Sequence, residues 1–328
     1  MRIAMFDSKP YDIESFQKLN NPSIEYTFFE EKLSCKTIKL AEGYDGVIVF
    51  VNDNINEEVI NKLNEMGIKL LLLRSAGYNN VDLYAAKDKI KVYRVPAYSP
   101  ESVAEYAMAL LLTSIRRTHK AYIRSRDFNF SLNGLVGFNL HNKTVGVIGT
   151  GKIGKAFINI CKGFGMNILA FDKYPDTSLT GVKYVSLEEL FKESDIISLH
   201  CPLTVENTYM INKFTINMMK KGVVIINTSR GGLVDTEALV EGIREKKVGA
   251  ACLDVYEEES HYFYKDMSNH IVSDEVLSRL ISFPNVIVTS HQGFLTREAL
   301  DSIAKTTEEN IISYMEGKES SNEVKYQE

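Results

Sequence analysis

Three apolar runs in this 328-residue sequence end on side chains that can handle anions and protons. Val223, Val224, Ile225 and Ile226 have the character of a strand buried on both faces, and Arg230 follows them between Ser229 and Gly231-Gly232. "GAACL" is followed by Asp254 and the acidic run Glu257, Glu258 and Glu259, and "NVIVTS" is followed by His291. A guanidinium grips a carboxylate through two parallel hydrogen bonds and polarises a neighbouring carbonyl. An imidazolium can deliver a proton to an oxygen that is gaining charge. A carboxylate beside the ring orients it and favours its charged form. Taken singly, each residue has a plainer reading: an arginine neutralising a carboxylate, a structural histidine, a solvated acidic loop.

A fourth stretch changes that balance. "TVGVIGTGKIGK" places Gly149-x-Gly151-x-x-Gly154 between an apolar run and a helical pattern, with Asp172 eighteen residues past Gly154. Such a turn lets a pyrophosphate approach free backbone N–H groups at a helix N-terminus. Asp172 is placed to accept the adenosine ribose hydroxyls and to repel a 2′-phosphate, which favours NAD(H) over NADP(H). Ligands of open α/β sheets bind at the carboxyl ends of the strands, where Arg230, the acidic run and His291 also fall. Together they are the groups that hydride reduction of a 2-oxo acid needs. His200, in "SLHCPLT", also ends a strand and is expected to pack or hydrogen-bond locally.

The chain offers two series of strands, and these residues all fall in the second. In the first hundred residues "RIAMF", "IEYTFF", "GVIVF" and "KLLLL" read as strands, with "DIESFQKLN" and "NEEVINKLNEMG" as helices. The turn "VPAYSPES" leads into one long helix expected from Val103 to about Asp127, apolar first and then basic. From Lys143 a second series gives six strands: "TVGVIG", "NILAF", "DIISLH", "VVIIN", "GAACLDV" and "NVIVTS". A helix from about Thr296 to Glu316 follows, and the tail "KESSNEVKYQE" is expected to be disordered. The fold class is therefore α/β, with two Rossmann-like domains built on doubly wound parallel sheets. The length exceeds the roughly 250–300 residues at which one core stops growing.

Bulk properties set limits. A net charge of −5 excludes a general nucleic-acid or anionic-membrane surface. The longest apolar run, "YAMALLLTSI", falls short of the roughly 18 residues of a membrane span. Cys35, Cys161, Cys201 and Cys252 show no C-x-x-C pairing and read as reduced thiols of a cytoplasmic protein without a metal site.

Over essentially its whole length the chain resembles the D-isomer-specific 2-hydroxyacid dehydrogenases. "VGVIGTGKIG", "SLHCPLT", "INTSRGGLVD", "LDVYEEES" and "TSHQGFLT" stand in that family's order and spacing. "FVND", "LRSAGYNNVDL", "RVPAYSPESVAEYA" and "FYKDMSNHIVSDEVLSRL" are most similar to its fermentative D-lactate dehydrogenase branch. The resemblance implies Arg230 as the substrate-binding arginine, His291 as the acid/base and Glu259 as its partner, with Glu257 and Glu258 off the pattern. Asp254 would hold the nicotinamide amide. Gly149, Gly151, Lys152, Ile153, Gly154 and Asp172 would contact the cofactor, as would Cys201, Pro202, Asn207, Thr228, Ser229 and Arg230. Backbone N–H groups of Ala76 and Gly77 would hold the substrate carboxylate, and Tyr98 would line the pocket.

The same resemblance implies a flavodoxin-like substrate domain, residues 1–98 with 296–328, and an NAD-binding Rossmann domain, residues 99–295, with the active site in the interdomain cleft. The helix and arm of residues 103–135 would form the interface of a homodimer or homotetramer. Phe50 and Phe294 would flank the substrate side chain, leaving room for a methyl group. The expected reaction is NADH-dependent reduction of pyruvate to D-lactate, reversibly. The alternatives are D-2-hydroxyisocaproate or phenyllactate formation and, in another class, an NAD(H)-sensing corepressor-like binding protein. Formate oxidation is disfavoured, because those relatives carry glutamine where Glu259 stands.

Overall fold

Successive residues of the central strands feed two different cores, which is why their sequences are apolar without alternation. In the strand that precedes Arg230, Val223 and Ile225 enter one cluster with Ile197, Leu239 and Leu253. Val224 and Ile226 enter another with Val147, Phe157 and Cys252. A sheet with both faces covered in this way is what helices on both sides produce. The computed structural model describes residues 1–51 and 53–326, in two compact units: Met1–Ser99 with Leu295–Glu328, and Pro100–Phe294.

The first unit contains β1 (Arg2–Met5), β2 (Glu25–Phe28), β3 (Gly46–Val49), β4 (Leu70–Leu73) and β5 (Lys91–Tyr93). They run parallel in the order β5-β4-β3-β1-β2, the flavodoxin arrangement. Ala4, Val47, Val49 and Leu71 line one core. Ile3, Met5, Ile48 and Leu70 line the other, which Ala304 and Ile311 of the helix Arg297–Met315 help to close.

The second unit contains β6 (Thr144–Ile148), β7 (Asn167–Phe171), β8 (Lys183–Tyr184), β9 (Ile196–Leu199), β10 (Val223–Asn227), β11 (Val248–Leu253) and β12 (Val286–Val288). Their order is β12-β11-β10-β9-β6-β7-β8, all parallel, with the reversal of strand order between β9 and β6. The sheet has seven strands rather than six, because the short β8 extends it beyond β7.

Two further expectations are corrected. The stretch from Val103 to Asp127 is not one helix. Pro100–Arg116 and Thr118–Arg126 are separate, because Arg117 takes a left-handed φ of 53°. Ala104, Ala107, Leu111 and Ile115 of the first pack into the core, whereas the second has no buried residue. The tail is also ordered where it is described: β13 (Glu323–Val324) pairs antiparallel with β5, closing that edge of the first sheet. Among the described residues, no helix is long and apolar enough to cross a membrane.

Candidate active site

The ends of β10, β11 and β12 are neighbours, and one buried asparagine ties the first two together. Asn227 closes β10, and its side chain donates to the Arg230 carbonyl at 2.8 Å and accepts from Ser229 N at 3.0 Å. Its own carbonyl accepts from Asp254 N at 2.9 Å. Gly231 then lets the arginine loop lie against the acidic loop: a Cβ there would stand 2.2 Å from the carbonyl of Tyr256. Arg230 donates from Nη1 to the Ser229 carbonyl at 2.7 Å and, among the described residues, has no carboxylate partner.

Asp254 is 1% exposed, so its carboxylate depends on internal donors. Thr289 Oγ1 donates at 2.6 Å, Gln292 N at 3.0 Å and Gly293 N at 2.8 Å. Burial pushes this carboxyl above its ordinary value, and those hydrogen bonds oppose the shift. The Asp254 carbonyl accepts from His291 N at 2.7 Å. One residue therefore shapes the whole 289–293 turn and presents the histidine.

His291 and Glu259 meet directly, Nδ1 to Oε1 at 2.8 Å, although 32 positions separate them. Glu259 opens the short helix Glu259–Tyr262, and its second oxygen accepts from Tyr256 N at 3.2 Å. Both carboxylate oxygens are thus fixed. Glu258 reaches His261 instead, at 3.4 Å, and the environment of Glu257 is set by Thr236 and Tyr209. Neither is among the partners of His291. With Nδ1 committed, Nε2 is the ring nitrogen left to exchange a proton with a substrate.

The glycine loop sits between β6 and the helix Lys152–Gly163. Gly149 has φ 94°, and a Cβ on Gly154 would lie 2.0 Å from the Gly149 carbonyl, so the turn closes only with glycine at both positions. Gly151 is the N-cap and offers no side-chain cap, and nothing lies within 4 Å of where its Cβ would be. The N–H groups at Lys152 and Ile153 therefore have neither a capping oxygen nor a steric shield, a fit for a pyrophosphate. Asp172 follows β7 and also organises this loop. Its Oδ2 accepts from Thr150 N and Thr150 Oγ1 at 2.6 and 3.0 Å, and its Oδ1 from Tyr174 N at 2.8 Å. Thr150 was not legible as a site residue, since any small polar side chain fits a glycine turn.

Between the loops that follow β10 and β9, Ser229 Oγ donates to the Cys201 carbonyl at 2.5 Å, and within the loop after β9 Asn207 donates to the Pro202 carbonyl at 2.8 Å. Among the described residues the buried Thr228 Oγ1 has no partner, an orphaned polar atom consistent with a bound cofactor. His200 bonds Ser198 Oγ at 2.8 Å and packs on Phe157, while burial pulls its pKa down to about 3. It is a neutral local ring. Tyr264 is a residue the sequence pattern missed: its hydroxyl donates to the His291 carbonyl at 2.8 Å. Phe294, three residues past His291, is buried.

In the first unit, Ala76 and Gly77 follow β4 in a loop fixed by Arg94 Nη1 on the Ala76 carbonyl at 3.0 Å and Ser75 Oγ on the Gly77 carbonyl at 2.8 Å. Tyr98 is half-buried in the segment before the helix Pro100–Arg116. Phe50 follows β3 and is buried, with Arg74 Cζ 4.6 Å from its ring centroid.

Sheet, glycine turn and the histidine–carboxylate pair define a dinucleotide-dependent dehydrogenase. A family model described as D-isomer specific 2-hydroxyacid dehydrogenase, NAD binding domain, matches residues 108–293. The chain belongs to that family. It is 49% identical to the D-lactate dehydrogenase of Escherichia coli over 99% of this chain and 100% of that one. The apo structure of that E. coli enzyme superposes with a TM-score of 0.91, covering 99% and 100% of the two chains at 47% identity. The pyruvate reductase of Chlamydomonas reinhardtii superposes with a TM-score of 0.93, covering 98% of each chain at 42% identity.

Proposed function

We propose that this protein reduces pyruvate to D-lactate with NADH, reversibly. The observation that carries the reading is the His291–Glu259 pair at 2.8 Å, at the strand ends that also present an arginine without a carboxylate partner among the described residues. Arg230 holds the carboxylate of the 2-oxo acid and polarises the adjacent carbonyl. When bound, NADH would supply the hydride for the carbonyl carbon, leaving NAD⁺. His291 gives the proton on Nε2 to the carbonyl oxygen, and the neutral ring, still held by Glu259, is reprotonated from water. Ala76 and Gly77 contribute backbone N–H groups to the substrate carboxylate, Tyr98 lines its pocket, and Phe50 and Phe294 limit its side chain. Lys152 and Ile153 hold the pyrophosphate, Asp172 the ribose, and Asp254 the nicotinamide amide, with Cys201, Pro202, Asn207, Thr228 and Ser229 completing the contacts.

Two further assignments belong to this reading. The protein is an oligomer joined through the arm of residues 103–135, supported by exposed apolar side chains at Phe128, Phe130 and Leu132 and at Val136 just past it. It works in the cytoplasm, a placement supported by four unbridged cysteines. One assay tests the chemistry: kcat/KM with NADH for pyruvate, 2-oxoisocaproate and phenylpyruvate, with product chirality determined. A preference for pyruvate and a D-product are expected. A preference for either larger acid replaces the substrate, and tight NADH binding without turnover replaces the enzyme by a sensor.

A further inference from the structure

Arg74 is 2% exposed, and its charge is held at the carboxyl ends of three adjacent strands of the first unit. It follows β4, yet its guanidinium reaches the far side of β3. Nη1 donates to Asp12 Oδ2 at 2.8 Å, and Nη2 donates to the carbonyls of Phe6 and Asp7, just past β1, at 3.0 and 2.6 Å. On the way it lies over Phe50, which follows β3, at 4.6 Å from the ring centroid. Phe50 is held by its backbone as well. Asp53 Oδ2 accepts its N–H at 2.5 Å, and Asn80 Nδ2 donates to its carbonyl at 2.9 Å. Asp53 is itself buried and anchored by Leu33 N at 2.6 Å.

A buried ion pair is a poor device for stability alone, because well-packed apolar side chains serve as well without the desolvation cost. What a planar guanidinium with a fixed fork adds is orientation. It bonds in its plane and presents a flat cationic face to a ring. Here both properties are used at once, the edge on Asp12 and two carbonyls, the face on Phe50.

We propose that Arg74 is a positioning residue for substrate-size selection: its guanidinium, locked by Asp12 and the carbonyls of Phe6 and Asp7, fixes the Phe50 ring and thereby the room left for the 2-oxo acid's side chain. This rests on the reading of Phe50 as a contact of that side chain. The lysine that stands in for Arg74 in Arg74→Lys keeps the charge but loses the fork and the flat face, so the ring gains freedom to turn aside for a longer chain.

The test is the ratio of kcat/KM for pyruvate to that for 2-oxoisocaproate in Arg74→Lys, Phe50→Leu and the double variant, with KM for NADH measured alongside. Arg74→Lys is expected to lower the ratio about tenfold, the scale of size discrimination in an apolar pocket, with KM for NADH unchanged. Phe50→Leu lowers it as far, and the double variant goes no lower than Phe50→Leu alone. An unchanged ratio in Phe50→Leu overturns the reading of Phe50 itself. A shifted ratio in Phe50→Leu with none in Arg74→Lys, or additive shifts in the double variant, overturns the role of Arg74. Should Arg74→Lys not fold, Arg74→Gln with Asp12→Asn removes both charges together and carries the same expectations.

Discussion

His291 stands in left-handed backbone, φ 53°, a conformation that costs a residue with a Cβ on the order of 1 kcal/mol. The surroundings enforce it from both sides, His291 N on the Asp254 carbonyl and Tyr264 Oη on the His291 carbonyl. This bend turns the ring onto Glu259. Glu259→Gln removes the charge that supports the imidazolium while keeping the shape, so the pH optimum for reduction should move to lower pH; an unchanged pH–rate profile removes Glu259 from the mechanism. His200 provides the opposite case. Burial holds it neutral down to about 3, whereas an unfolded chain takes up that proton near 6.5. The stability tied to the neutral ring is full above the unfolded value and is lost as pH falls through the window toward 3. His200→Asn should therefore show a smaller fall in Tm between about pH 7 and about pH 5 than the natural chain, whatever its Tm at neutral pH. Of these residues, Arg230 and His291 stood out because each follows a long apolar run, whereas Glu259 was separable from Glu257 and Glu258 only through the family resemblance. Tyr264 and Thr289 did not stand out, because they act on a backbone carbonyl and on a buried carboxylate, and nothing in the local pattern marks such partners.

At the scale of elements, the long strands were readable and the short ones were not. β10 announces itself through four consecutive apolar residues, because it is covered on both faces. β8 and β13 are two residues each, too short for any periodicity, and exist only because a sheet edge offers them hydrogen bonds. The break at Arg117 has no glycine or proline to signal it. It is held instead by contacts distant in sequence, Arg117 Nη1 on the Gly134 carbonyl and Arg124 Nη1 on the Asn133 carbonyl, at 3.0 and 2.7 Å. Gly231 shows how closely neighbouring strand ends must approach. Gly231→Ala would drive a methyl group into the Tyr256 carbonyl, separating the arginine loop from the acidic loop. We expect a stability loss of about 1–3 kcal/mol by urea unfolding and a larger proportional loss in kcat/KM than in NADH affinity. Equal losses in both would mean that the loops do not act as one.

At the scale of the whole molecule, the apolar surface of the arm is the feature the two sheets leave unexplained. Phe128, Leu132 and Val136 are 83%, 79% and 86% exposed, on a segment whose helix buries nothing. Leu132→Glu should shift the protein toward monomer in sedimentation velocity at micromolar concentration; an unchanged distribution moves the interface elsewhere. The return of the chain to its first sheet has a consequence for biosynthesis. Residues 1–99 leave the ribosome before all of Pro100–Phe294, yet the helix Arg297–Met315 that covers Ile3, Ile48 and Leu70, and the strand that pairs with β5, are translated after it. The nascent amino-terminal sheet must wait, one greasy side only partly covered by Phe16 and one border unpaired, until that helix and strand have been made, while the nucleotide unit is already able to fold. A translationally arrested chain ending at Phe294 should hence yield a protease-resistant core of residues 100–294 and a readily clipped front portion, and it is that interval in which a chaperone would have most to hold.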